Sequence, residues 1–212
     1  MDENVIAAMA RWPNVPDVYG WLSLTASGLW RLHPRGDAWQ EQNSTATGES
    51  ISSPQIIRFI DRNYTCDEQG RWFFQNGPQK VYVRLDAAPY ILHTVGNTSG
   101  DSVQLNTHTG LEDVAVQEWW LDDRGRLYAR TTQGPGLIAG RDLPAILDAL
   151  YTVEGLSLMD VLDADPGSCE VLALRALDAS TAATSPSVPL RMCRAADIPA
   201  RLGFVGNPRP EK

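Results

Sequence analysis

The sequence predicts an α+β fold of twisted, mainly antiparallel sheets built from repeated hairpin-then-helix units. Three observations carry this. Residues 67–95 read as a polar turn, an aromatic run, a second turn and a strand in which Val81, Val83 and Leu85 alternate, the period required of a strand with one face on a core. Polar residues followed by Gly and then an aromatic or Leu recur around Gly28, Gly70 and Gly125. Apolar residues switch to helical spacing after residues 53 and 142, each time beyond a hairpin.

Residues 1–16 are expected to form a short helix or arm, ended by Pro13 and Pro16, which cannot continue a helix; Trp12 is expected to dock on the body. Residues 19–32 form a hairpin turning through Thr25-Ala26-Ser27-Gly28, with Gly where positive φ is wanted. Residues 33–49, rich in Gly, Ser, Thr, Asn and Gln, read as a surface loop. A helix follows, capped by Ser53 with Pro54 at its first position and Ile56, Ile57, Ile60 and Tyr64 on one face. Beyond the 67–95 hairpin, residues 96–101 are a turn and 102–111 a strand. A second full copy spans 119–130, and after Gly134-Pro135-Gly136 a helix begins at Asp142 with Leu143, Ile146, Leu147, Leu150 and Tyr151 on one face. A degraded third copy spans 168–205, where Asp197-Ile198-Pro199-Ala200 echoes Asp142-Leu143-Pro144-Ala145. The turn glycines are irregularly spaced, which excludes a propeller or solenoid. The organisation expected is an arm over 1–18, one α+β part over 19–113, a second over 114–206 and a disordered tail over 207–212.

The 212 residues can bury one sizeable core or two small ones. A formal net charge of -8 and a pI near 4.8, without clustered Lys and Arg, argue against a nucleic-acid partner. No apolar run suits a membrane span, and residues 1–16 lack a secretory signal, so a cytoplasmic location is expected. Three cysteines with no CxxC spacing argue against a disulfide framework or a zinc ribbon. Cys169 and Cys193 fall opposite each other if the last two strands pair, and are expected to be two small reduced side chains.

No metal site, cofactor or catalytic residue is expected. The segment from Gly134 to Gly140 has GxGxxxG spacing, a proline and a following Asp142, and so departs from the dinucleotide fingerprint. His33, His93 and His108 lack neighbouring ligands, and the acidic groups sit in turns that favour Asp for backbone reasons. No GxSxG elbow is present. The remaining candidate is an aromatic and cationic ligand-binding set, Trp72, Phe74, Lys80, Tyr82, Arg84 and Tyr90, joined by His108 at a polar strand end. Exposed, it would suit an anionic ligand or an acidic peptide. The competing reading places the aromatics in the core and the cations in water.

The runs Arg11-Trp12-Pro13-Asn14-Val15-Pro16 and Tyr19-Gly20-Trp21-Leu22, the 67–74 segment, Gly77-Pro78-Gln79-Lys80-Val81 and Asp86-Ala87-Ala88-Pro89-Tyr90 resemble uncharacterised proteobacterial families of small proteins known only as domains of unknown function. One such family implies an α+β fold of repeated strand-rich motifs and a suggested signalling role. Neither supplies catalytic residues to carry over. The first hairpin has Ala26-Ser27-Gly28 where that pattern favours an acidic residue before Gly.

The functional expectation is therefore a cytoplasmic, non-enzymatic binding or regulatory protein for a small molecule or a protein partner. An exposed strand edge would allow a homodimer. The alternative is a hydrolase or transferase with a site near His108, Lys80, Arg84 and Asp86.

Overall fold

The computed structural model describes residues 1–40, 45–95, 104–164, 171–176 and 187–210. It is an α+β protein whose chain divides into two units, Met1–Pro89 with Gly203–Lys212, and Tyr90–Leu202. The boundary expected after residue 113 thus lies inside the second unit. Pro89, which cannot donate to a sheet ladder, ends one sheet's share of the chain, and the next strand joins the other sheet.

The first unit opens with α1 (Glu3–Arg11), followed by β1 (Val18–Leu24), β2 (Trp30–Leu32), β3 (Glu49–Ser50), α2 (Pro54–Arg62), β4 (Tyr64–Cys66), β5 (Trp72–Asn76) and β6 (Gln79–Leu85). Its sheet runs β3-β2-β1-β6-β5-β4, antiparallel except where β1 lies parallel to β6. Leu22, Leu24, Trp30, Trp72, Phe74, Val81 and Val83 share one face, which α2 covers through Ile60 and through Phe59, edge-on to Phe74 at 5.4 Å. Trp30 Nε1 donates to Asp61 of α2 at 2.8 Å. Three expectations fail locally. Trp12 is not docked but 55% exposed. Ser53 makes no side-chain cap, so the Pro54 start alone marks the helix. Residues 207–208 are no loose tail: Asn207 Nδ2 donates to Trp39 O, and Pro208 is buried.

The second unit holds β7 (Tyr90–Thr94), β8 (Leu105–Thr107), β9 (Val116–Asp122), β10 (Leu127–Thr131), β11 (Gly134–Ile138), α3 (Leu143–Ala149), β12 (Leu150–Thr152), α4 (Leu158–Ala164), β13 (Val171–Ala176), β14 (Val188–Cys193) and α5 (Ile198–Leu202). Its sheet runs β12-β13-β14-β9-β10-β11-β7-β8. The glycine-rich segment weighed against a dinucleotide fingerprint is β11, paired antiparallel to β10 and parallel to β7. The helix expected over 142–151 stops at Ala149, because Leu150 and Tyr151 pair with β13, and Asp142 spends its carboxylate on the Thr94 N–H instead of a cap. Cys169 lies outside the described residues.

Five turns are built alike, at Thr25, Asp67, Thr107, Asp122 and Thr152. In each the side-chain oxygen accepts the N–H four residues on, that residue's carbonyl accepts the first residue's N–H, and the glycine at the fourth position has positive φ. A Thr hydroxyl therefore does at residue 25 what a carboxylate does at residue 67, and the missing acidic residue in the first hairpin is no departure in structure.

Candidate functional site

In the first unit Ser23 lies opposite Arg31 of β2 and opposite Arg84 of β6. Direct cross-strand partners share a face, so Arg31, Ser23 and Arg84 form a row across three strands, on the face away from α2. Two guanidinium groups two strands apart repel each other unless an anion lies near. Asp86, just past β6, is such an anion and pairs with Arg84 at 3.3 Å. The Arg84 guanidinium, 5% exposed, also donates to Ala46 O at 2.6 Å, which ties down the chain after residue 44.

A cavity of about 470 Å³ opens here, lined by Thr45, Arg84, Leu85, Asp86, Gly206 and Asn207. Leu85 N–H donates to Gly206 O at 2.7 Å, holding the returning chain end against β6. Asn207 Nδ2 is committed to Trp39 O at 3.0 Å, which fixes the amide so that Oδ1 is the atom left over. That oxygen, like Arg31 Nε, is buried with no hydrogen-bond partner. Burial pushes the Asp86 carboxyl above its ordinary range, and the neighbouring Arg84, His33 and Arg31 do not fully offset it.

Behind the row, Ser23 Oγ and His33 Nε2 lie 2.8 Å apart, a nucleophile-and-base distance. Ser23 has no exposed surface and His33 is 4% exposed, so the pair has no path to a substrate. Its role is to satisfy two buried polar groups. Burial, with Arg84 second, holds the His33 pKa below its usual value and keeps the ring neutral. Gly48 lets the backbone close on this ring: a Cβ there would lie 2.8 Å from His33 Cε1 and Nε2. From the span 33–49, read as a surface loop, His33, Thr45, Ala46 and Gly48 thus help build the site.

Of the sequence candidates, Trp72 and Phe74 lie in the core on the α2 face. Lys80, Tyr82 and Arg84 lie on the opposite face of the sheet, where Tyr82 meets Phe73 and Lys80 sits over the Phe73 ring at 5.1 Å. Trp72 and Phe74 therefore do not share a face with Lys80, Tyr82 and Arg84, because alternation sends the two sets to opposite sides of the sheet. Tyr82 is 2% exposed, stacked on Tyr19 at 4.7 Å and donating to Asp67 at 3.0 Å; burial and the Asp67 carboxylate raise its pKa. Burial alone would raise Asp67 too, but hydrogen bonds from Arg71 and Tyr82 outweigh it and hold the carboxyl low. Lys80 and Arg84 stand four residues apart on one strand, roughly 13 Å, and only Arg84 reaches the cavity. Tyr90 and His108 belong to the second unit, where Tyr90 is buried. His108 continues the β7 ladder: its N–H donates to Ile91 O at 2.8 Å and its Nδ1 accepts the Ile91 N–H at 3.2 Å. Sequence reasoning missed Arg31, Thr45 and Asn207, since nothing local marks a residue whose partners are set by strand pairing or by a returning chain end.

A second cavity of about 420 Å³ lies beside α2, lined by apolar residues including Trp21, Leu32, Ile56 and Phe74. Among the described residues no group of His, Cys, Asp or Glu is placed to hold a metal ion. No helix among them is long and apolar enough to cross a membrane.

Two mainly antiparallel sheets with short helices, one carrying a buried arginine at a polar cavity, define the chain as an α+β protein with a candidate ligand site. It belongs to a family described as a protein of unknown function (DUF2946), whose model matches residues 1–209. No curated protein matches it. Among solved structures it is similar to a DUF1285 family protein from Silicibacter pomeroyi DSS-3, at 14% identity and a TM-score of 0.48, covering 93% of this chain and 98% of that one. It is also similar to a DUF1285 family protein from Shewanella baltica OS155, at 16% identity and a TM-score of 0.39, covering 58% of this chain and 87% of that one.

Proposed function

We propose that the chain is a non-enzymatic binding protein that takes a small anionic molecule in the cavity at the end of β6. The observation that carries this is the buried Arg84, which lines a cavity of about 470 Å³ beside Thr45, Asp86 and Asn207, with Arg31 two strands away on the same face of the sheet. Among the described residues Asp86 is the carboxylate that lines this cavity, paired with the Arg84 guanidinium. Arginine is the side chain best suited to hold a carboxylate or phosphate in fixed geometry. The rival enzyme reading, with Lys80, Arg84, Asp86 and His108 in one site, lacks support because Lys80 is remote along β6 and the Ser23–His33 pair is sealed. The cytoplasmic setting and regulatory role expected from the sequence stay part of this proposal.

Internal repetition belongs to the same proposal. The order β3-β2-β1-β6-β5-β4, with β1 parallel to β6, is matched by β11-β10-β9-β14-β13-β12, with β9 parallel to β14. In both, a helix joins the third strand to the fourth. This supports two copies, the last two strands completing the second copy and not starting a third.

The test is a thermal-shift series with small carboxylates and phosphates at low salt. A ligand at a hundredfold excess over its Kd stabilises by about 2.7 kcal/mol, or roughly 5–10 °C in a chain of this size. Arg84→Gln is expected to abolish the shift. Failure of every anion to raise the midpoint, or an equal shift in the variant, overturns the proposal.

A further inference from the structure

We propose that Asp86 is a built-in competitor at this site: the bound anion takes its place beside the Arg84 guanidinium, and binding strengthens whenever Asp86 loses its charge. The inference rests on the ligand-binding reading above and adds the regulation of that site. Arg84 Nη2 faces the Ala46 carbonyl at 2.6 Å and the Asp86 carboxylate at 3.3 Å. The shorter contact, to backbone, holds the guanidinium in place, whereas the longer one is made by a side chain. Asp86 follows the last residue of β6, and its N–H donates to Leu24 O at 3.0 Å, so its backbone is fixed. Its side chain is 36% exposed against 5% for Arg84, and it can swing toward water without moving a strand. Both residues line the cavity. An anion that reaches Arg84 therefore meets the Asp86 carboxylate at close range, and like charges in a partly buried site repel strongly.

Among the described residues, the charged and titratable groups acting on Asp86 are Arg84 of β6, Arg31 of β2 and His33 just beyond β2. Burial outweighs them and already raises the Asp86 carboxyl above its ordinary range. An anion beside Arg84 offsets that guanidinium's attraction and raises the carboxyl further. Anion and proton thus enter together, and affinity climbs as pH falls. His33 does not supply this proton site, because burial, with Arg84 second, holds its pKa below the usual value.

The test is isothermal titration of the full chain with sulfate, whose charge is constant between about pH 7.5 and 5, at fixed low ionic strength. Asp86→Asn, which keeps the size of the side chain, is expected to bind sulfate at least about tenfold more tightly than the unaltered chain at the higher pH. The unaltered chain should gain at least about threefold in affinity on going to the lower pH, and the variant should show no such gain. Asp86→Ser serves the same purpose if the asparagine variant does not fold. Sulfate binding that Arg84→Gln abolishes, but that neither Asp86 variant tightens, overturns the competitor and leaves the anion site standing. A pH dependence that survives in the Asp86 variants assigns the proton to another group and likewise overturns it. Absence of binding to the unaltered chain and to both Asp86 variants overturns the competitor and the anion site together.

Discussion

Arg84 and His108 stood together in the sequence as candidate ligand-binding residues, and the structure gives them different work. Arg84 reaches a cavity, whereas His108 replaces a strand residue by bonding both backbone groups of Ile91. That assignment makes Nδ1 the acceptor, so the proton of the neutral ring sits on Nε2, an atom without solvent contact. Burial, with a smaller contribution from His93, pushes the His108 pKa down to about 3 from an ordinary 6.5. Between those values the unfolded chain binds a proton that the folded chain refuses, so stability present above pH 6.5 is lost as pH falls toward 3. The slope is at most about 1.4 kcal/mol per pH unit, or about 2 kcal/mol between pH 6.5 and 5. His33, also depressed, adds to the fall, while Asp86 and Asp61, both raised by burial, oppose it at the lower end. Urea midpoints at pH 7 and 5 test this: His108→Asn, which keeps an acceptor for Ile91, is expected to flatten the difference. An unchanged pH dependence in that variant would sink the assignment.

Hairpins and their turn glycines were legible because the turn has a local grammar: a side-chain acceptor, two free positions, Gly, and a residue whose N–H returns to the acceptor. The β11 strand was not, since its Gly-Pro-Gly opening looks like a loop and becomes a strand only through pairing with β10 and β7. Likewise Leu150 and Tyr151 continue the helical spacing of Leu143, Ile146 and Leu147, and pairing with β13 takes them into a strand instead. Two turns of the same grammar differ in surroundings, which yields a paired test. Gly70 and Gly125 both have φ of 73°, and alanine at either pays the left-handed cost of about 1–2 kcal/mol. At Gly125 a Cβ meets nothing within 4 Å, whereas at Gly70 it would lie 2.4 Å from Gly203 O, a backbone atom that cannot swing aside. Gly70→Ala should therefore cost more than Gly125→Ala by about 1–3 kcal/mol, read from denaturant midpoints. Equal costs would mean that residues 203–204 do not press on the turn.

At the level of the whole molecule, fold class followed from periodicity, but the partition of the chain did not, because residues 203–208 belong with strands more than a hundred positions earlier. Nothing in Gly203-Phe204-Val205-Gly206 says which strand it will meet. Phe204 is buried, Val205 N–H donates to Gly70 O at 2.9 Å, and Gly206 O accepts from Leu85 N–H. The short segment therefore ties the β4–β5 turn to the end of β6, and the proposed ligand cavity is incomplete without it. A chain ended after residue 202 is expected to lose protection in the first unit alone. Amide exchange at Leu85 and at residues 67–71 should quicken markedly, since local opening free energy falls when buried contacts and backbone partners are removed, while the β9–β10 amides at residues 119–121 keep their protection. The same truncation should abolish ligand-induced stabilisation, because Asn207 and Gly206 leave with the segment. If β9 and β10 lost protection in step with β6, the two units would open as one cooperative body, and the ligand site could not be altered without the second sheet feeling it.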